Sequence, residues 1–385
     1  MNHKERALTA LNHEEPDRVP IDLGGRNTTL MLSGYEAFKK KLGKEEIPTQ
    51  VMSKVWQTAY VDEFFLQKFG ADFRQVRPRN IAVLGSNKPR EFAEDGCEIF
   101  TDQWGVKRKV DGEYATIYEY NLKTPTLEAL EAYPWPDTTQ DFDFSGVRKE
   151  AKKLHDEGEY AVVGCMGNAG NLFDQSWYLR GMPEFFMDMM SRKDFAHALM
   201  RKVCDVRKEN ARLFLEEAGD FIDVFQCADD LAMQNAPFMS LPMYREFIKP
   251  YQAELFGYIK GMTKAKLYYH SCGAVTTLLD DLIEVGVDIL NPIQVSATGM
   301  ETDNLKKRYG KQLSFWGGID TFEVLPNGSV RDVRNEVAKR IGDLAPGGGY
   351  ILGSVHNMQS DVPPENVIAM LESAVELGQY PIASR

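Results

Sequence analysis

Several features that define other classes of protein are scarce in this sequence. Cysteine occurs only five times in 385 residues, at widely spaced positions. The chain is therefore not a disulfide-stabilised scaffold, and we expect a reduced, cytoplasmic protein. Positive charge is also in deficit, with 45 Lys+Arg against 57 Asp+Glu and a net charge of −12. No nucleic-acid partner is expected, because a surface that follows a phosphate backbone needs net positive patches.

Long hydrophobic runs are missing as well. No window approaches the roughly 18 apolar residues of a membrane-spanning helix, so no membrane partner is expected. Residues 1–20 are polar and amphipathic and lack the apolar core of a signal peptide. What remains is the balance of an ordinary globular protein, with 43% hydrophobic and 26% charged residues. Length alone leaves the number of domains open.

From residue 146 onward, short apolar runs alternate with charged helical stretches. With the segment 19–22, the candidate strands are residues 160–165, 221–226, 266–270, 287–292, 313–318 and 350–353. This alternation predicts βα units around a parallel sheet, and seven strands over this length favour a (β/α)8 barrel. No G-x-G-x-x-G turn follows an early strand, which argues against an open nucleotide-binding sheet.

The part of the chain before residue 146 has a different pattern. Residues 50–75 have the apolar spacing of a helix ending at Gly70. The segment 98–121 is rich in β-branched and aromatic residues on both sides of a D-G-E turn, which predicts an antiparallel hairpin. The expected fold is thus a (β/α)8 TIM-type barrel with an N-terminal extension and a β-hairpin excursion.

His270 and Cys272 form the sharpest local feature of the chain. They stand two residues apart at the end of the run 266–270, so both side chains would project together from the carboxyl end of a strand, where barrel active sites lie. The pair is either the first half of a zinc site or a packed histidine beside a buried cysteine. His356 is the only other histidine in a strand-end loop, and it is the candidate third ligand.

These motifs resemble those of the superfamily that contains uroporphyrinogen decarboxylase and the corrinoid-dependent methyltransferases. The resemblance extends over nearly the whole chain through ERALTALNHEEPDRVP, YPWPD, CADDLAMQNAPFMSLPMYREFIKPY, YHSCGAV, FWGGID and HNMQSDVPPENV. It implies a (β/α)8 barrel, taken here as one domain over residues 1–385. In the methyltransferase branch, zinc is held by H-x-C and a later cysteine. His270 and Cys272 match the pair, and His356 occupies the third position.

The decarboxylase branch is the alternative. Many of its members also have a histidine at the third position, but they lack H-x-C and carry an arginine-rich R-Q-A-G-R element that grips substrate carboxylates. This chain reads DLGGRNTTL there, with Arg26 alone. We therefore favour a zinc methyltransferase and keep a decarboxylase of another acid, acting without corrinoid, as the second hypothesis.

The ligand set also bears on the methyl donor. Two neutral imidazoles and one thiolate leave zinc a stronger Lewis acid than two thiolates would, which suits the neutral oxygen of a methyl ether. A small methylated substrate, most simply a methoxylated aromatic, is the expected donor, and the reaction is then O-demethylation. The resemblance implies that a corrinoid (cobalamin) on a separate protein accepts the methyl group. The cobalamin-binding signature D-x-H-x-x-G is absent from this chain.

Other candidate site residues follow further strands. Asp230 matches a position that the family keeps as an active-site acid and is the expected catalytic residue. Its neighbour Asp229 either binds substrate, orients a ligand or caps a helix. The remaining expected substrate contacts are Asn168, Gln234, Asn291 and Trp316. Met and Phe residues at 182–200 recur at helical spacing and indicate core or a homodimer interface rather than a cofactor site.

Overall fold

The computed structural model describes residues 1–84, 91–166 and 171–382. The strands in these residues are β1 (Gln50–Ser53), β2 (Thr58–Tyr60), β3 (Phe73–Val76), β4 (Arg79–Asn80), β5 (Glu91–Phe92), β6 (Glu98–Thr101), β7 (Lys107–Asp111), β8 (Tyr114–Glu119), β9 (Phe142–Asp143), β10 (Ala161–Cys165), β11 (Val224–Ala228), β12 (Lys266–His270), β13 (Ile289–Asn291), β14 (Ser314–Trp316) and β15 (Tyr350–Ile351).

The helices alternate with these strands. They are α1 (His3–Leu11), α2 (Leu32–Lys41), α3 (Glu63–Lys68), α4 (Ile81–Leu84), α5 (Leu127–Glu131), α6 (Thr138–Asp141), α7 (Val147–Glu157), α8 (Phe173–Arg180), α9 (Met182–Ser191), α10 (Lys193–Ala218), α11 (Leu241–Phe247), α12 (Lys249–Met262), α13 (Leu279–Glu284), α14 (Thr302–Tyr309), α15 (Val324–Asn327), α16 (Val330–Leu344) and α17 (Pro364–Leu377). Among the described residues, no helix has both the length and the apolar character needed to cross a lipid bilayer.

Seven parallel strands form one curved sheet, in the order β3-β10-β11-β12-β13-β14-β15. The segment 19–22 takes the eighth position, although it forms a single bridge rather than a full strand. Ile21 pairs with Leu352 beside β15, and its carbonyl oxygen accepts the backbone N–H of Asp72, just before β3, at 2.9 Å. The segment therefore joins both edges of the sheet. The predicted (β/α)8 barrel is confirmed.

Large side chains fill the barrel interior. The ring of Trp316 lies 4.3 Å from that of Phe73 and 5.3 Å from that of Tyr268, measured between centroids. Ala7 and Leu11 of α1 belong to the same buried cluster. The interior is thus a packed core, and catalytic groups have to lie above it at the carboxyl ends of the strands.

The amino-terminal end of the barrel is held by a buried ion cluster. The Asp72 side chain is fully buried and accepts from Arg6 at 2.8 Å, Arg18 at 2.9 Å and the backbone N–H of Ile21 at 2.7 Å. His3 contacts the same carboxylate at 2.7 Å. This cluster lies at the end of the barrel opposite the strand carboxyl ends. Buried charges at that end contribute to stability rather than to catalysis.

Two β-excursions stand outside the barrel. The predicted hairpin at 98–121 is confirmed as β7–β8, inside a four-stranded antiparallel sheet of β5, β6, β7 and β8. The helix predicted from about residue 50 to Gly70 is wrong for most of its length, because β1 and β2 occupy its first part and only α3 is helical. The β1–β2 hairpin obtains backbone partners from residues 30–32, including Ala59 N–H to Leu30 O at 3.0 Å. The spacing of apolar residues within a segment does not indicate which distant residues will supply its backbone partners.

Candidate metal centre

The three ligands predicted from the sequence come together at the carboxyl end of the barrel. His270 ends β12, Cys272 follows two residues later, and His356 lies in the loop after β15. Their ligand atoms all lie within 4.8 Å of one another, and Cys272 Sγ is 3.4 Å from His270 Nε2. Two ligands on one tetrahedral zinc would be about 3.5 Å apart, given Zn–N of about 2.0 Å and Zn–S of about 2.3 Å. The donor types and the spacing of this pair therefore fit zinc.

Asn291 fixes the orientation and tautomer of His270. The Asn291 amide donates to the carbonyl oxygen of Trp316 at 2.9 Å, so the group facing that oxygen must be the NH2. Its Oδ1 then faces His270 Nδ1 at 2.5 Å and accepts a hydrogen bond from the Nδ1–H group. His270 Nε2 is left with its lone pair directed to the cluster, which is the form that binds a metal.

Asp230 lies beside the ligands. Its Oδ1 accepts the backbone N–H of Cys272 at 2.8 Å and is 4.0 Å from His270 Nε2. The Asp230 side chain lies deep in a cleft, yet 42% of its surface is accessible to solvent. Its backbone N–H donates to Asp174 Oδ2 at 3.0 Å, which links it to a second carboxyl group. Asp230 is thus in direct reach of both the ligands and a bound molecule.

Gly273 permits the tight turn after the H-x-C pair. Its φ is +89°, and a Cβ at this position would lie 2.6 Å from the carbonyl oxygens of Ala232 and Met233. No other residue type accepts both this backbone conformation and this approach. The turn brings Cys272 against the loop after β11, where Asp230 lies.

The Asp229 side chain holds the start of α8 in place. Its side chain is fully buried, and its two oxygens accept the backbone N–H groups of Leu172, Phe173 and Asp174 at 3.0, 2.9 and 2.8 Å. The sequence left open whether Asp229 binds substrate or caps a helix, and the structure shows that it caps the start of α8. It therefore positions Asp174, which α8 carries.

Burial keeps the apo ligands in uncharged forms. It lowers the pKa of His270 to about 4, and burial together with the neighbouring His270 lowers the pKa of His356 to about 4. Burial, with Asp230 and Asp174 nearby, raises the pKa of the Cys272 thiol well above its ordinary value. Carboxyl groups that oppose a thiolate here would favour a bound cation, so binding of a metal would be coupled to deprotonation of the thiol.

Asp174, Asp229 and Asp230 form a cluster of carboxyl groups whose pKa values are all raised. Burial raises the pKa of Asp229 to about 7. Burial and the neighbouring Asp229 raise the pKa of Asp174 well above its ordinary value. Burial also raises the pKa of Asp230. Burial and mutual repulsion thus favour the protonated forms of these carboxyl groups beside the candidate metal ligands.

The cleft above the cluster contains some of the expected substrate contacts and excludes others. Its lining comprises Arg26, Asn27, Trp56, Asn171, Asp174, Tyr178, Ala228, Asp229, Asp230, His270, His356 and Asn357. Asn291 lies behind His270, fully buried, and acts on the site through that imidazole. Trp316 is 1% exposed in the barrel interior, where its Nε1 donates to Asp22 at 2.8 Å, so it does not reach the cleft.

The two remaining candidate substrate contacts are Gln234 and Asn168. Gln234 is exposed at the barrel rim, where it donates to the carbonyl oxygen of Ser296 and accepts from Gln294 at 2.9 Å. It does not line the cleft. Asn168 lies outside the described residues.

Sequence inspection missed several residues that line the cleft. Asp174 lies in the first turn of α8, the helix that follows β10, so its position after a strand-end loop was an available signal. Trp56 was not recognisable, because it enters the cleft from the β1–β2 turn, inside a segment with helical spacing. Tyr178 and Asn357 carry no distinguishing local pattern.

Comparison with known proteins identifies the family. Residues 109–377 match the family described as Uroporphyrinogen decarboxylase (URO-D), which is more than half of the chain. The chain belongs to the uroporphyrinogen decarboxylase family. The superfamily inferred from the sequence motifs is thereby confirmed.

Relatives within the uroporphyrinogen decarboxylase family are distant. The uroporphyrinogen decarboxylase of Chromohalobacter salexigens is 23% identical over 308 residues, which cover 75% of this chain and 80% of that protein. That of Neisseria meningitidis serogroup B is 22% identical over 265 residues, or 67% of each chain. A solved methyltransferase from Methanosarcina mazei matches with a TM-score of 0.64 and 18% identity over 98% of this chain and 99% of the other. This last similarity shows a shared fold.

Proposed function

We propose that this protein is a zinc-dependent methyltransferase that moves a methyl group from a small methylated donor to a corrinoid on a separate protein. The convergence of His270, Cys272 and His356 at the barrel mouth carries the proposal. Three protein ligands with one position left for substrate is the composition of a catalytic zinc site, whereas structural sites use four protein ligands. The orientation of His270 by Asn291 supports the same role, because metal-bound histidines are held in this way.

The donor that fits best is a methoxylated aromatic, so that the reaction is an O-demethylation. When bound, zinc supplies Lewis acidity that makes the ether oxygen a better leaving group. The rings of Trp56 and Tyr178 both line the cleft and offer flat apolar surfaces to an aromatic donor. A quaternary amine fits less well, since its nitrogen has no lone pair for a metal.

Asp230 is the proposed acid. Its Oδ1 accepts the Cys272 N–H, and its Oδ2 would carry the proton. Burial raises the pKa of this carboxyl group, which favours its protonated form. Asp230 would deliver that proton to the departing oxygen of the donor, and Asp174 holds the Asp230 backbone in place.

A decarboxylase acting on another acid, without corrinoid, is the second candidate. Family membership and the cationic Arg26 on the cleft wall favour it. It would leave the H-x-C pair without a chemical role, and for this reason it ranks below the methyltransferase.

Metal analysis tests the site first. We expect about one zinc per chain in the purified protein, and loss of that zinc in Cys272→Ala and His356→Ala. Cys97→Ala is the matched control, since Cys97 is a free, partly exposed cysteine outside the barrel mouth. Zinc content unchanged in both site variants would exclude the metal centre.

The reaction is tested by mixing the zinc-loaded protein with a reduced corrinoid protein and separate methyl donors. Methoxyarenes, methylamines, betaines and methyl thioethers form the panel, and conversion of the Co(I) absorption band to that of methyl-Co(III) is the readout. We expect conversion with a methoxyarene. Conversion only with a thioether or betaine would refute the ether assignment, and release of carbon dioxide without cobalamin would favour the decarboxylase.

A further inference from the structure

A second, larger cavity adjoins the cleft. Its volume is about 640 Å³, and it shares Arg26 and Trp56 with the cleft that contains the ligands. The β1–β2 hairpin, the end of β3 and helix α7 form its walls. A molecule that places one end at the metal ligands would extend past Trp56 into this cavity.

Three of the charged groups on the cavity wall have partners within the protein. Lys54 forms an ion pair with Glu98 at 2.6 Å, and Glu63 forms one with Arg74 at 2.7 Å. Asp62 accepts the Phe64 N–H at 2.9 Å and caps α3. These groups are satisfied within the protein and leave little charge for a ligand.

Arg26 and Arg77 also line this cavity, but they lack such partners. Arg26 Nη1 and Arg77 Nε are buried and have no hydrogen-bond partner in the part of the chain that the structure describes. Within the same residues, neither guanidinium is within 4.0 Å of a carboxylate oxygen, and this includes Glu150, which also lines the cavity. Arg77 has one long contact, from Nη2 to Gln75 Oε1 at 3.4 Å, and its guanidinium lies 5.2 Å from the ring centre of Tyr60.

Two such cations in one cavity are costly without an anion. Buried donors that lose water and gain no acceptor destabilise the fold, and like charges in one cavity repel each other. Arg77 follows directly after β3, at the carboxyl end of a barrel strand, where substrate-binding residues are placed. An arginine fork is also the side chain best matched to a planar carboxylate.

We propose that Arg77, together with Arg26, binds a carboxylate of the substrate, so that the methyl donor is a methoxylated aromatic acid rather than a neutral ether. The inference rests on the proposed function, because it assumes that the donor occupies the cleft beside His270 and Cys272. The methoxy end lies at the metal ligands, Trp56 contacts the ring, and the carboxylate reaches the two arginines.

Direct binding tests this inference without turnover. Zinc-loaded protein is titrated calorimetrically with 4-methoxybenzoate and with neutral 4-methoxybenzamide, in the absence of any corrinoid. We expect the acid to bind at least about 10-fold more tightly than the amide. In Arg77→Gln the acid should bind roughly 10- to 100-fold more weakly while the amide changes little, since one charge-assisted hydrogen-bonded pair is lost.

Two further variants sharpen the result. Arg77→Lys keeps the charge but not the fork, and acid binding should fall between those of wild type and Arg77→Gln. Arg331→Gln removes the same charge from an exposed position at the start of α16 and should bind the acid as wild type does. Equal affinity for acid and amide, no measurable binding of either, or an unchanged Arg77→Gln would each overturn the inference.

Failure of the inference and failure of the proposed function are distinguishable. Acid binding that depends on Arg77, without methyl transfer to a corrinoid, would refute the function and leave the carboxylate site standing. Methyl transfer from acid and amide with the same KM would support the function and remove the carboxylate site.

Discussion

Replacing Asn291 with leucine is the sharpest test of how the fold positions the metal ligands. Asn291 is fully buried between β12 and β14, where it accepts from His270 Nδ1 and donates to the Trp316 carbonyl. Leucine has the same branching and the same number of side-chain heavy atoms, but it is larger and has no polar group. The substitution therefore removes two hydrogen bonds, and a control with the same increase in size is needed to separate their loss from the effect of packing.

The expected magnitudes follow from those two bonds. His270 Nδ1–H and the Trp316 carbonyl oxygen would each be left buried without a partner, at about 1–3 kcal/mol apiece. We expect the free energy of unfolding of the apo protein to fall by about 2–6 kcal/mol. His270 would also lose its fixed tautomer, and zinc affinity should fall about 10- to 100-fold, equivalent to about 1.4–2.7 kcal/mol.

Two assays separate these effects. Urea unfolding measures the stability of the apo protein, and competition with a zinc chelator measures the zinc Kd. The control is Asn366→Leu, because Asn366 is equally buried and donates to two carbonyl oxygens, of Leu325 and Gly328, both at 2.8 Å. The control should lose stability and keep its zinc Kd. A zinc Kd that is unchanged in Asn291→Leu, or equally weakened in Asn366→Leu, would refute the proposed orientation of His270.

Further predictions concern stability. Asp72→Asn removes the charge that neutralises two buried arginines, and urea unfolding should show a loss of about 3–5 kcal/mol; a loss below about 1 kcal/mol would contradict this assignment. Glu254 forms hydrogen-bonded ion pairs with Arg201 and Lys208, which lower its pKa from 4.5 to about 2. Its stabilisation should be fully present above pH 4.5 and disappear as the pH falls towards 2. Glu254→Gln should therefore lose about 1 kcal/mol or less at neutral pH and show a flatter stability profile in that acid range, since the pair is partly exposed; identical profiles for the two proteins would count against it.

Local sequence patterns predicted the secondary structure correctly where a segment's structure depends on its own neighbours in the sequence. The apolar runs after residue 146 became barrel strands, because a strand buried on both faces needs a continuous apolar run. The β7–β8 hairpin was recognisable for a similar reason, since a turn at Gly112 joins two β-rich segments. The β1–β2 hairpin was not, because residues 30–32 supply its backbone partners.

The sequence by itself determined that His270 and Cys272 lie on the same side of the chain, since two residues separated by one position on an extended chain share a side. It also determined the barrel that presents them. Only the tertiary structure decided what Asn291 and Asp229 do. Parallel strand register pairs Asn291 with His270 across β12 and β13, and the packing of α8 above β11 brings three backbone N–H groups to Asp229. Such partners are set by the relative position of neighbouring strands, which no local pattern of residues encodes.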